Sequence, residues 1–377
     1  MVGLMLAAAS VGGMQSSLPD AVPSAAVVSA GPSTLGLIPG EGIGPELTRA
    51  AERVLDALEA TGEQAIRRVY GPPLERVSDG SLPLTSELTD WYTGCRTAGI
   101  PVLHGPAGGR FVYDLRRWGG LFVKLTPVQP LAALADASLL RPERVANADV
   151  LLVRDNSGGL YQGEALWEHD GDVAAHRFQY ERSQIVAVID VAVAQAAARR
   201  GQLTVVTKPG GIPTISALWS EVATERAADA VELRFLEVDN ACYQLASDPR
   251  QFDVIVSPNM FGDVLGDTAA IALGSRGLSF SANFALDGFA VYQTAHGAAY
   301  DLAGRDVANP IGHLSSLAWL LERSLERAEA ARRLRAAIAG VLVRGIRTAD
   351  IASNDSTVVG TSAFIDEVCR EIEDRHS

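Results

Sequence analysis

The chain has 377 residues, 47% hydrophobic and 20% charged, a composition suited to one large or two ordinary globular domains. Its formal net charge of −13 argues against nucleic acid as the main partner, because phosphate binding needs a basic face, but leaves room for a small anionic substrate held by a few local arginines. The cysteines Cys95, Cys242 and Cys369 lie far apart without metal spacing and read as free thiols of a reducing compartment.

The first 33 residues, rich in Ala, Ser, Gly and Val, read as a disordered extension or a misassigned start. A signal peptide is the alternative, but no Lys or Arg precedes the apolar run. No apolar run reaches the ~18 residues of a membrane helix, so a cytoplasmic protein without membrane contact is expected.

Order begins at "LGLIPG", a short apolar strand closed by Pro39-Gly40. "GPELTRAAERVLDALEA" then predicts a helix, with Pro45 in its first turn and Leu47, Ala50, Ala51, Val54, Leu55 and Leu58 on one face. "GLFVKLTP" reads as extended, which puts Lys124 and Thr126 on the same face. Three later segments repeat one pattern: "DVLLV" leads into "RDNSGGLY", "LTVVT" into "KPGG", and "DVIVS" into "PNMFGD". Each is a continuous apolar run, as in a strand buried on both faces, followed at once by polar and glycine residues. Helical stretches such as "RSQIVAVIDVAVAQAAARR" lie between them. Alternating strands and helices predict an α/β fold, with ligands bound beyond the carboxyl ends of strands, where Arg154, Lys208, Asn259 and Asp263 fall.

"PGEGIGPE" is not a dinucleotide fingerprint: the glycine spacing is wrong, and Glu41 inside the turn would repel a pyrophosphate. In "NMFGDVLGDTAAIAL", Asp263 and Asp267 are four apart on a predicted helix, about 6 Å from one another. They are either two solvated surface acids or, with no cation between them, the site of a divalent metal, which typically takes one or two carboxylates plus substrate oxygens. "AHGAAYDLAGRDVANP" is a long loop between a strand-like "FAVYQ" and a helix "IGHLSSLAWLLER", and long ordered loops in compact enzymes are usually functional. His296, taken alone, is more often structural than catalytic. Only two of the 32 Lys plus Arg residues are lysine, Lys124 and Lys208. Lysine, unlike arginine, can give up its proton when buried, so Lys208 at a strand end is a candidate for proton transfer. The other reading is chance placement.

Taken together, "LGLIPGEGIGPEL", "LLVRDNSGGLYQGE", "VSPNMFGDVLGDTAAIALGSRGL" and "TAHGAAYDLAGRDVANP" resemble the isocitrate/3-isopropylmalate dehydrogenase family of β-decarboxylating dehydrogenases. The resemblance runs from about residue 34 to the C-terminus with the motifs in family order. It implies a two-domain α/β fold, not a Rossmann fold, with residues 34–121 and 274–377 forming a discontinuous cofactor-binding domain and 122–273 a substrate, metal and dimerisation domain. It also implies a homodimer with shared active sites that oxidises a (2R)-hydroxy acid with NAD and Mg²⁺ or Mn²⁺ and expels CO₂. By matching motif, Asp263 and Asp267 resemble metal ligands of one subunit, and Asp239 the acid completing the site from the other. Lys208 resembles the lysine that handles the hydroxyl proton, and Tyr161 the tyrosine that protonates the enol. Arg116 and Arg154 resemble substrate-carboxylate arginines. The loop with His296 and Gly297 resembles the adenosine site, with Asp301 on the ribose, favouring NAD over NADP, and Asn309 near the adenine.

Four positions depart from the family pattern: Glu41 for Asp, Thr126 for a substrate arginine, Gly210 for Asn, and Thr268 for Glu. The metal and adenosine sites look intact while the substrate pocket is altered. A malate-type substrate other than isocitrate or isopropylmalate is therefore expected. Lys124 either supplies the charge missing at Thr126 or is simply solvated. The competing readings are hydroxy-acid oxidation without decarboxylation, and a non-catalytic nucleotide-binding homologue.

Overall fold

The computed structural model describes residues 33–168 and 171–375, so the expected N-terminal extension lies, Ser33 apart, outside the described residues. The chain opens with β1 (Thr34–Ile38), α1 (Gly44–Ala60), β2 (Arg67–Tyr70), α2 (Ser86–Thr97), β3 (Val102–His104) and α3 (Phe111–Trp118). Its middle supplies β4 (Val123–Val128), α4 (Pro142–Val145), β5 (Val150–Asp155), β6 (Glu164–Glu168), β7 (Val173–Arg177), α5 (Arg182–Ala197) and β8 (Gln202–Thr207). There follow α6 (Pro213–Ala227), β9 (Glu232–Glu237), α7 (Val238–Ser247), β10 (Val254–Ser257) and α8 (Asn259–Leu273). The last part holds β11 (Phe280–Phe284), β12 (Ala290–Thr294), α9 (Ile311–Arg323), α10 (Ala328–Val343), β13 (Ile346–Arg347), β14 (Thr357–Val358) and α11 (Thr361–Asp374). No helix among the described residues is long and apolar enough to cross a membrane.

Ten strands form one sheet in the order β2-β1-β3-β12-β11-β4-β5-β10-β8-β9. The outer parts, β2-β1-β3-β12 and β5-β10-β8-β9, are parallel, and β11 and β4 join them through antiparallel pairings. This is an α/β fold with a mixed sheet, unlike the mostly parallel sheet of a dinucleotide-binding fold. Strands drawn from residues 34–121 and 274–377 occupy one half, and those from 122–273 the other. The continuous apolar runs behave as their composition dictates: every residue of β5 and β10 is buried, with helices packed against both faces.

Two local arrangements place the functional segments. In α9, Trp319 packs edge-on against Phe280, Phe284 and Tyr292 of β11 and β12, with ring centroids 5.8, 6.3 and 5.9 Å apart. Burying such a side chain stabilises by about 1.5–3 kcal/mol and anchors the helix that follows the 295–310 loop. At the other end of that loop, Gly42 has φ +57°, and a Cβ there would lie 2.0 Å from the Ala298 carbonyl oxygen. The turn after β1 and the 295–310 loop therefore press backbone to backbone, which only glycine allows.

Candidate active site

Neighbouring parallel strands β5, β10 and β8 end on one edge of the sheet and deliver Arg154, the start of α8, and Lys208 there. Helix α8 lies so close to β5 that a Cβ on Gly262 would sit 2.7 Å from the Arg154 side chain. Arg154 is 3% exposed. Its Nε and one terminal nitrogen donate to Asn259 Oδ1 at 3.0 and 2.8 Å, and the other terminal nitrogen pairs with Asp263. Asn259 in turn donates to the Gly158 carbonyl at 3.1 Å, tying the helix to the loop that carries Tyr161. That loop is folded by Asp155, whose carboxylate accepts from the Ser157 and Gly158 amides at 2.9 and 3.0 Å.

Asp263 is thus surrounded. Burial would raise its pKa, but the charges of Arg154, Lys124 and Arg116 outweigh it and hold the carboxyl below its usual range. The Tyr161 ring lies under the Arg154 guanidinium, 5.6 Å from ring centre to Cζ, and edge-on to Tyr113 at 5.1 Å. Burial and the Asp263 charge push the Tyr161 phenol up to about 12, so it stays protonated at neutral pH and can act as a donor. Arg116, at the end of α3, is buried, its Nε without a partner. Burial, then repulsion from Arg154, lowers its pKa to about 9.

Lys124 is buried, not solvated. It stands opposite Arg154 across the β4–β5 pair, so both side chains share the face under α8. Burial, then Arg116 and Arg154, drive its pKa well below the lysine range. Thr126, two residues on and also buried, faces the same way.

The expected acidic pair is present on α8, but cations do stand beside it. Asp263 pairs with Arg154, and Asp267 with Arg276 at 2.8 Å on an exposed surface. Asp239 lies elsewhere in the protomer, at the start of α7 and 70% exposed. Among the described residues no three His, Cys, Asp or Glu side chains come together as a metal cage. Two carboxylates one helical turn apart still suit Mg²⁺, which takes few protein ligands and keeps oxygen from water or substrate.

Lys208 differs from the buried amine expected from sequence. Its side chain is 32% exposed, and its Nζ donates to Glu237 at 2.5 Å and Asp239 at 2.9 Å. The register explains why: β8 runs beside β9 with Thr207 opposite Glu237, so the neighbouring strand ends in a carboxylate next to the lysine. Glu237, then Asp239, raises the Lys208 pKa. Within one chain the amine is held charged. Gly210, in the following turn, faces open space.

In the 295–310 loop, Asp301 is exposed, and its carboxylate makes no ion pair among the described residues. Gly297 is also exposed. Asn309 is buried and internally committed: its amide donates to Asp350 at 3.0 Å, and its oxygen accepts from the Ile311 amide, the first of α9, at 3.0 Å. His296 is half-buried, with Nδ1 2.9 Å from the Gly297 carbonyl and Nε2 unpartnered. Burial lowers its pKa. Glu41 accepts from Arg76 Nε at 2.8 Å, the Tyr300 hydroxyl at 2.9 Å and the Gly108 amide at 3.2 Å, which latches this loop to the turn after β1.

Behind the loop, His104 on β3 and His313 on α9 are fully enclosed, and burial lowers their pKa values to about 4 and about 3. A folded pKa below the unfolded value of 6.5 means the unfolded chain binds more protons, so stability present above pH 6.5 is lost as pH falls toward 4 and then 3. At about 1.4 kcal/mol per pH unit, the pair makes the fold acid-sensitive. His313→Leu is expected to move the acid-unfolding midpoint, followed by circular dichroism, to lower pH. An unchanged midpoint would remove the histidine from the account.

Sequence reasoning missed Tyr113, the Glu41–Arg76–Tyr300 latch and Glu237. The aromatic and arginines in "GRFVYDLRRW" were a usable hint of the first, while the others depend on tertiary pairing alone.

A family model described as isocitrate/isopropylmalate dehydrogenase matches residues 34–368. A 3-isopropylmalate dehydrogenase from Salinibacter ruber is 39% identical over 352 residues, 89% of this chain and 94% of that protein. One from Bordetella pertussis is 36% identical over 362 residues, covering 90% and 99%. Among solved structures, isocitrate dehydrogenase from Methylococcus capsulatus superposes with a TM-score of 0.78 at 27% identity, over 90% of this chain and 99% of that one. The chain belongs to the isocitrate/isopropylmalate dehydrogenase family of NAD-dependent β-decarboxylating dehydrogenases. Members of the family bind hydroxy acids, typically with NAD(P) and a divalent metal, and form dimers.

Proposed function

We propose that the protein catalyses NAD- and divalent-metal-dependent oxidative decarboxylation of a malate-type (2R)-hydroxy acid other than isocitrate or isopropylmalate. One observation carries the reading: buried arginines Arg116 and Arg154 converge with the protonated phenol of Tyr161 on the carboxylate of Asp263. Arg154 and Arg116 bind and orient the substrate carboxylates. Asp263 and Asp267 would hold the divalent cation, which when bound lowers the pKa of the substrate hydroxyl. Tyr161, kept neutral by its surroundings, returns a proton to carbon after CO₂ has left.

Asp239 and Lys208 are assigned to the site of the second subunit. Their exposure supports this, as do Tyr243 on α7, Val264 on α8 and Trp167 on the β6–β7 hairpin, apolar groups that a partner would cover. The two halves of the sheet support a cofactor-binding domain of 34–121 and 274–377 beside a substrate domain of 122–273. The substitutions Thr126 and Gly210 set the pocket apart and argue for a substrate different from those of the named relatives.

The test is NADH formation over a panel of (2R)-hydroxy acids with Mg²⁺ or Mn²⁺. Activity on one malate-type acid, far above that on isocitrate and isopropylmalate, is expected. No activity on any would leave a nucleotide-binding homologue. The free carboxylate of Asp301 should hydrogen-bond the adenosine ribose and repel a 2′-phosphate, giving NAD about a 10- to 100-fold advantage over NADP in kcat/KM. A preference for NADP in the same assay would show that Asp301 does not read the ribose.

A further inference from the structure

We propose that Lys124 determines substrate specificity, as a basic side chain enclosed without a counter-ion so that a substrate carboxylate can supply one. The identity of the site rests on the dehydrogenase reading, but the anion trap itself does not require turnover.

Lys124 is 6% exposed, and its side chain makes no hydrogen bond or ion pair among the described residues. The charges around it are unbalanced. Arg116 approaches from α3 and Arg154 from β5, while α8 offers Asp263, already paired with Arg154, and Asp267, paired with Arg276. On its other side Lys124 stands opposite the neutral Asn283 of β11, and half-buried His296 feels its charge from the loop beyond. Three buried basic side chains therefore share one carboxylate, Asp263. Enclosing a basic group without a partner is unfavourable unless an anion joins it, so this arrangement lowers the stability of the empty protein and favours an anionic ligand.

Lys124 also sits where the family pattern has changed. Thr126, on the same face of β4, carries a short hydroxyl where the family pattern has an arginine. An ammonium is a point charge without the fork of an arginine, so it holds a carboxylate with looser geometry. The pocket then takes a compact dicarboxylate by two guanidinium groups and one amine, and tolerates carboxylates that an arginine at position 126 would exclude.

Malonate in EDTA-containing buffer is a suitable probe, because it carries the dianion but has no hydroxyl to oxidise. Isothermal titration should show binding to the wild-type protein, weakened about 10- to 100-fold in Lys124→Met. In the absence of malonate, Lys124→Met should raise the melting temperature by a few degrees, since an enclosed amine without a partner has become apolar. Lys124→Met combined with Thr126→Arg should regain malonate affinity. A lowered melting temperature of Lys124→Met with unchanged malonate affinity would overturn the proposal and assign Lys124 to the fold. Because none of these measurements uses NAD, a failed anion trap and a failed dehydrogenase reading are separate results.

Discussion

Asp263→Asn is expected to lower kcat/KM by about three orders of magnitude or more, and excess EDTA to abolish turnover of the wild-type protein. The substitution keeps the shape of the side chain but removes the charge that a divalent cation needs. It should spare the fold, because Arg154 keeps both its hydrogen bonds to Asn259. Asp263 is also the hydrogen-bond and charge partner that helps to keep Tyr161 protonated, so the variant should lose the phenol's alignment as well. Steady-state kinetics with a circular dichroism control reads both effects. Full activity in EDTA would show that the α8 aspartates serve only as partners for Arg154 and Arg276.

The second large effect concerns Lys208. Lys208→Arg is expected to lower kcat by about 10²- to 10⁴-fold while structure and NAD binding survive. The arginine retains the charge and the ion pairs to Glu237 and Asp239, but a guanidinium does not release its proton. In the isolated protomer those two carboxylates hold the Lys208 amine charged. Proton transfer at Lys208 would therefore require these carboxylates to release the amine, as they would if Asp239 helped to hold a divalent cation in a dimer. Near-normal kcat in Lys208→Arg would exclude proton transfer at this residue.

What could be read before folding was whatever short-range pattern encodes. The runs "DVLLV", "LTVVT" and "DVIVS" are predominantly apolar because helices cover both faces of their strands, and they form β5, β8 and β10. Glycine and polar residues directly after each run mark the strand ends, where Arg154, Lys208 and Asp263 stand. The i,i+4 spacing of Asp263 and Asp267 was correct, but their cationic partners were not legible: Arg154 lies 109 residues from Asp263 and reaches it only through the packing of α8 on β5.

Register accounts for the other differences. Lys124 could be read as solvated or functional until β4 was placed between β5 and β11, where its side chain is 6% exposed. Glu237 meets Lys208 only because β8 and β9 run parallel in one particular alignment. Asn309, by contrast, carried a local signal that was open to a second reading. Polar residues just before a helix often serve its first amides, and here the Asn side chain is spent on Ile311 and Asp350.

The measurement closest to the central claim is the ratio of CO₂ to NADH formed from the preferred (2R)-hydroxy acid with Mg²⁺ present. The arrangement of Arg116, Arg154, Tyr161 and the α8 aspartates predicts one CO₂ trapped per NADH, with neither product formed in EDTA. NADH without CO₂ would contradict oxidative decarboxylation and leave a simple hydroxy-acid dehydrogenase in its place.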